Sequence, residues 1–178
     1  MSLKETLKRI LSQSFEKTNL FLSDLSDAEL LVRPVPQANH IAWQLGHLIL
    51  QEYRQMSSQD LGVTYPDLPS GFEEQHSDAT AAIDPPSGFL SKQEYLDLAG
   101  QMHGATMATL ASLSDADLMS PVKADWGPWL PTVGDIFLGR NRSDQGHLGQ
   151  FAVVRLVLGK STIPQWSEEP QPTGQRPP

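Results

Sequence analysis

Two histidines, one carboxylate and one guanidinium carry most of the chemistry this sequence offers: His47, His147, Asp144 and Arg140. Neutral imidazole is a ready ligand for zinc, nickel or iron near neutral pH. A metal site needs such rings to converge from separate helices onto one point. His147 lies in the stretch 132–160, TVGDIFLGRNRSDQGHLGQFAVVRLVLGK, where Val133, Ile136, Phe137, Phe151, Val154 and Leu158 recur at helical spacing. Arg140, Ser143 and His147 fall in the same arc, where a core helix normally carries Leu or Val. Unpartnered polar groups in a core cost roughly 1–3 kcal/mol each. Gly134, Gly139, Gly146 and Gly149 each weaken the helix by about 1 kcal/mol relative to Ala. A helix with that much local cost is either held by its neighbours around an internal polar site or broken in the middle, and the polar site is the reading adopted.

His47 belongs to the run HIAWQLGHLILQEYRQM (40–56), apolar around most of its circumference, with Asn39 as its candidate cap. Its narrow polar strip holds His40, Gln44, His47, Gln51 and Arg54. That strip is either the solvent edge or the wall of a cleft between helices. Two further long helices frame it. The first, 3–22, shows an apolar face from Leu3 to Leu22, with Ser14 and Thr18 at inward positions where each can bond the carbonyl four residues back. The other begins at Ser91, with Glu94 completing a capping box, and carries Tyr95, Leu98, Met102 and Leu110. His103 in it reads as a surface or satisfied residue. Ser26 with Glu29 marks a short helix that Pro34 and Pro36 stop.

Residues 57–90 hold several prolines and no sustained period. A connection that long can run from one end of a bundle to the other. Phe72 and Tyr65 are expected to pin it down, and His76 to be exposed. Trp126 and Trp129 are expected to cover one end of the bundle. Four long helical segments without a convincing strand give an all-α four-helix bundle with a long crossover between helices 2 and 3. The bundle domain spans 1–160 and a Pro-rich tail 161–178, in which Trp166 packs back or meets a partner.

Composition narrows the function classes. The chain has 178 residues, no cysteine and a formal net charge of −8. That length suits one domain burying about 70% of its unfolded surface. Thiolate metal sites and disulfides are excluded, and a cytoplasmic protein is the expectation. The start lacks a signal-peptide core and no run reaches the ~18 apolar residues of a membrane span. Without a basic cluster, nucleic acid is not an expected partner.

Asn39-His40-Ile41-Ala42-Trp43-Gln44-Leu45-Gly46-His47 resembles the second-helix signature N-x-x-x-W-x-x-x-H of the DinB-like superfamily. His147-Leu148-Gly149-Gln150, followed by Arg155 and Leu158-Gly159-Lys160, is similar to its fourth-helix signature, and LSDAELLVRPVP to the linker before helix two. The resemblance implies a four-helix bundle, often a homodimer, with a divalent metal, zinc or nickel, held by three histidines. Two of them match His47 and His147. The third stands at position 143, where this chain has Ser143, so the triad is incomplete. Losing one ligand removes several of the roughly 10–16 kcal/mol that structural zinc sites contribute. Asp144, about 100° further round the helix, and His103 or Gln44 are the candidates to complete the set.

Characterised relatives with an intact triad include thiol transferases and isomerases. The resemblance thus implies a metal-dependent hydrolase or thiol transferase acting on a small molecule. His47, His147 and Asp144 would be ligands, Asp144 also a base, and Arg140 or Arg142 an anion contact. The alternative is a member that has lost the metal and serves as a small-molecule binder or a dimerising module.

Overall fold

The computed structural model describes residues 2–83, 86–124 and 126–164. Four long helices make the frame: α1 (Leu3–Leu22), α3 (Ile41–Ser57), α5 (Lys92–Ser112) and α7 (Val133–Val157). Three single-turn helices, α2 (Asp27–Leu30), α4 (Phe72–Gln75) and α6 (Asp115–Leu118), lie in the connections, and no strand occurs among the described residues. Local chemistry sets most of the starts. Ser26, Ser91, Ser114 and Thr132 each accept from the amide three residues on, while the acid at that position accepts from the cap's own N–H. Each such cap is worth about 1 kcal/mol.

Leu7, Leu11, Ile41, Leu45, Ile49, Tyr95, Met102, Phe137 and Phe151 fill the centre. Each fully buried side chain of this size contributes about 1.5–3 kcal/mol. Contacts between helices fix their directions. Ser14 meets Asn141 and Gln145 while Phe21 meets Arg155, so α1 and α7 run the same way. Lys4 reaches Ala111 and Leu113 while Lys92 reaches Leu22, so α5 runs against α1. Glu52 meets Arg140 while Gln44 meets His147, so α3 runs against α7. Hence α3 and α5 point alike. Between them Tyr65 bonds Thr106, His76 bonds Tyr95, and Phe89 packs on His40.

Several sequence-based expectations change. The α3 cap is His40, whose Nδ1 accepts from the Trp43 amide; Asn39 instead offers its carbonyl to Gln44. His76, expected to be exposed, is fully buried. Its Nδ1–H donates to the Phe72 carbonyl and its Nε2 accepts from the Tyr95 hydroxyl, so a neutral imidazole is satisfied on both sides. The ring lies against Gly46, where any Cβ would collide with it. Burial accordingly lowers the His76 pKa. Trp129, expected to cover one end of the bundle, is 75% exposed, while Leu130 enters the core against Gly139. Thr18 does bond the carbonyl four residues back, but the buried Ser14 hydroxyl accepts from Asn141 and Gln145 of α7.

The apolar circumference of α3 is covered largely within the chain, since its residues 41–46 and 48–50 are all buried. Helix α7 is continuous through its glycines, so the polar site, not a break, accounts for its composition. Tail residues 165–178, with Trp166, lie outside the described residues. No helix among the described residues is long and apolar enough to cross a membrane.

Candidate functional site

Antiparallel packing of α3 on α7 zips their polar stripes into one seam. On α3, positions 44, 47 and 51 are spaced three and then four apart, the steps that keep side chains on one face. On α7, positions 140, 143, 144 and 147 do the same. The two histidines therefore meet, with ring centroids 6.0 Å apart and planes tilted by 49°. Trp43, one turn before His47, stacks on its ring at 4.7 Å and fixes its plane.

Amides, not carboxylates, dress the two rings. His147 Nδ1–H donates to Gln44 Oε1 at 2.8 Å, and Gln44, fully buried, is itself held through Nε2 by the Asn39 carbonyl. That leaves His147 Nε2 as an acceptor. Burial, with the added influence of His47 and Arg140, lowers the His147 pKa to about 4, so the ring is neutral at neutral pH. On the other ring, Gln51 Nε2 lies 2.8 Å from His47 Nε2. An amide nitrogen only donates, so His47 Nε2 accepts and Nδ1 carries the proton. Gln51 Oε1 accepts from the Ser143 hydroxyl at 3.2 Å. Ser143, Gln51 and His47 thus form a relay joining α7 to α3.

Arg140 and Asp144 stand one turn away, on the inner side of the seam. Arg140 Nε lies 3.1 Å from Glu52 Oε2, its Nη1 3.0 Å from Asp144 Oδ1, and Nη1 also donates to the Leu48 carbonyl. Glu52 accepts in turn from the Thr106 hydroxyl, which accepts from Tyr65. Burial pushes the Asp144 carboxyl up to about 6; Arg140 opposes that rise and Glu52 adds to it. Burial works against the Arg140 cation too, but the Asp144 and Glu52 carboxylates overcome it and raise its pKa. A cavity of about 30 Å³, room for about one water, adjoins this cluster and is lined also by Phe15 and His103, whose rings stack at 4.4 Å.

The expected site residues therefore separate into two groups. His47, His147 and Ser143 share the outer seam, beside a cleft of about 200 Å³ that His47 and Gln51 line with Arg54, His76, Ser77 and Asp78. Arg140 and Asp144 share the inner cluster with Glu52. Arg142 is exposed, and His103 packs on α1. Glu52 was missed because the residues one turn before it on the helix, Leu48 and Ile49, are apolar. Its signal was periodicity, since positions 44, 48 and 52 lie on one line of the helix and Gln44 faces α7.

The three-histidine ligand set implied by the resemblance does not fit these side chains. Serine at 143 is a poor ligand, Asp144 is bound to Arg140, and the His47 lone pair already accepts from Gln51. No group of three His, Asp or Glu side chains among the described residues converges as a metal-binding set. The closing signature has a structural role instead. Arg155, 2% exposed, bonds Asp24, the Phe21 carbonyl and the Ser161 carbonyl, and Lys160 caps the Asp24 carbonyl. These contacts clamp the end of α1 to the end of α7.

No curated protein matches this chain. Among solved structures it is similar to a conserved protein from Enterococcus faecalis, 20% identical, with a TM-score of 0.66 over 90% of this chain and 99% of the other. That likeness speaks to the fold alone. The family model of the DinB superfamily matches residues 10–151, from the core turns of α1 to the Phe151 turn of α7, and the chain belongs to that superfamily.

Proposed function

We propose that this DinB-superfamily bundle holds a small polar molecule directly at the imidazole–amide seam between α3 and α7, without a resident metal. One observation carries the reading: Gln51 donates to His47 Nε2 while accepting from Ser143. The lone pair a metal would need is already engaged, and so is the side chain standing where a third ligand would. What the seam offers a guest is His147 Nε2, an acceptor on a neutral ring whose tautomer Gln44 fixes. The cleft beside His47 adds charge of both signs through Arg54 and Asp78. Arg140, Asp144 and Glu52 act as the inner wall that keeps the two helices in register.

A second reading has its own support. The amide on His147 Nδ1 orients that ring as outer partners orient metal ligands, and the rings face each other at 6.0 Å. On this reading His47 and His147 hold zinc or nickel once Gln51 swings aside, and bound metal would supply Lewis-acid chemistry of the hydrolase or thiol-transferase type. Calorimetric titration of untagged full-length protein with zinc and with nickel separates the two. Direct binding expects no stoichiometric uptake by the natural sequence and a gain of uptake on Ser143→His, which also removes the hydroxyl that holds Gln51 against His47. Stoichiometric uptake by the natural sequence, as tight as that of Ser143→His, overturns it.

A further inference from the structure

We infer that Gln51, more than Ser143, decides what the imidazole pair can bind. This rests on the metal-free reading above and names the side chain responsible for it. A glutamine at 51 presents two opposite ends to the seam. Its nitrogen faces His47 Nε2 at 2.8 Å and its oxygen faces the Ser143 hydroxyl at 3.2 Å. An N–H directed at an imidazole lone pair blocks any cation from the same point. The neighbouring groups do not compete for that position. Gln44 holds the far nitrogen of His147, Trp43 covers the face of the His47 ring, and Asp144 is tied to Arg140.

The side chain is half-buried and borders the open cleft beside His47, so the position is reachable from solvent. Carboxylate and carboxamide have nearly the same shape and opposite polarity toward a ring nitrogen. A carboxylate at 51 would therefore convert the block into a third ligand. With His47 and His147 it would complete a two-histidine, one-carboxylate set, the donor combination of open catalytic zinc sites. Position 51 thus acts as the specificity determinant of the seam: amide for uncharged or polar guests, acid for divalent cations. Serine at 143 serves it by accepting neither metal nor charge and by donating to the amide oxygen so that the nitrogen points at His47.

The test compares full-length natural protein with Gln51→Glu and Gln51→Ala, using cobalt(II) absorption and zinc-dependent melting with those metals alone as probes. Gln51→Glu is expected to bind one cobalt per chain with tetrahedral bands, on the order of a hundredfold tighter than the natural sequence. Gln51→Ala, which unblocks His47 without adding a donor, is expected to fall between them. Adding His147→Ala to Gln51→Glu should abolish the bands. If folded Gln51→Glu, checked by circular dichroism, binds no better than the natural chain, the inference is overturned while the metal-free reading stands. If the natural chain itself binds cobalt one to one, the metal-free reading fails first.

Discussion

Removing the Arg140 guanidinium leaves two carboxylates facing each other inside the bundle. Glu52 and Asp144 side chains are 4% and 8% exposed, and Arg140 contacts them at 3.1 and 3.0 Å. Breaking a buried ion pair by deleting one partner costs about 3–5 kcal/mol, because the remaining charge is stranded. For a domain of this size each kcal/mol is worth about 2–4 °C, so Arg140→Leu should lower Tm by roughly 6–20 °C near neutral pH. The loss has a pH signature. Without the cation that opposes its rise, the folded Asp144 carboxyl titrates still further above its unfolded value, so the folded variant takes up a proton that the unfolded chain does not. Its deficit therefore shrinks as pH falls from neutrality toward about 5. Urea denaturation followed by circular dichroism at both ends of that window measures the effect. Adding Glu52→Gln and Asp144→Asn to Arg140→Leu should return most of the stability, since replacing a whole buried charge cluster is often neutral. A deficit below about 1 kcal/mol, or one that does not change with pH, would refute the reading of Arg140 as the counter-ion of a buried acid pair.

Gly46→Ala should destabilise by about 1–3 kcal/mol through overpacking, although Ala favours a helix, because the new methyl would overlap the His76 ring, which is held at both nitrogens; a stabilised variant in urea denaturation would contradict that packing. Asp144 and His147 should make opposite contributions to the pH dependence of stability. The Asp144 pKa is raised from 3.8 to about 6, so its contribution is fully present below 3.8 and declines as pH rises through 6. The His147 pKa is lowered from 6.5 to about 4, so its contribution is present above 6.5 and is lost as pH falls through 4. Relative to the natural chain, Asp144→Asn should therefore gain stability as pH rises between these limits, and His147→Gln should gain it as pH falls. Slopes of the same sign would show that one of the two environments is misassigned.

How far the fold and site could be read from sequence depended on whether the deciding interaction was local. Ser26 and Ser91 sit three residues from their carboxylate partners, so those helix starts were legible. The arc shared by Arg140, Ser143 and His147 on α7 was legible as well, because periodicity alone places them inward. Periodicity does not say which neighbour each one meets. The sharing of Gln51 between His47 and Ser143 depends on the register of α3 against α7, which no local pattern encodes. Asp144 divides along the same line: its pair with Arg140 is a local i, i+4 contact that spacing allows, whereas the second acid on that guanidinium, Glu52, comes from α3 and depends on the register. Tyr65 and His76 lie in a connection without any period, and their burial is set by Thr106, Tyr95 and Gly46, far along the chain.

The tautomers of the two seam histidines bear most directly on the claim that the rings are held by amides. Long-range proton–nitrogen correlation spectra of labelled full-length protein report which ring nitrogen carries hydrogen, before and after stoichiometric zinc. The expected result is protonated Nδ1 and accepting Nε2 on both His47 and His147, unchanged by the metal. A shift of both Nε2 resonances to metal-bound values on adding zinc would contradict it.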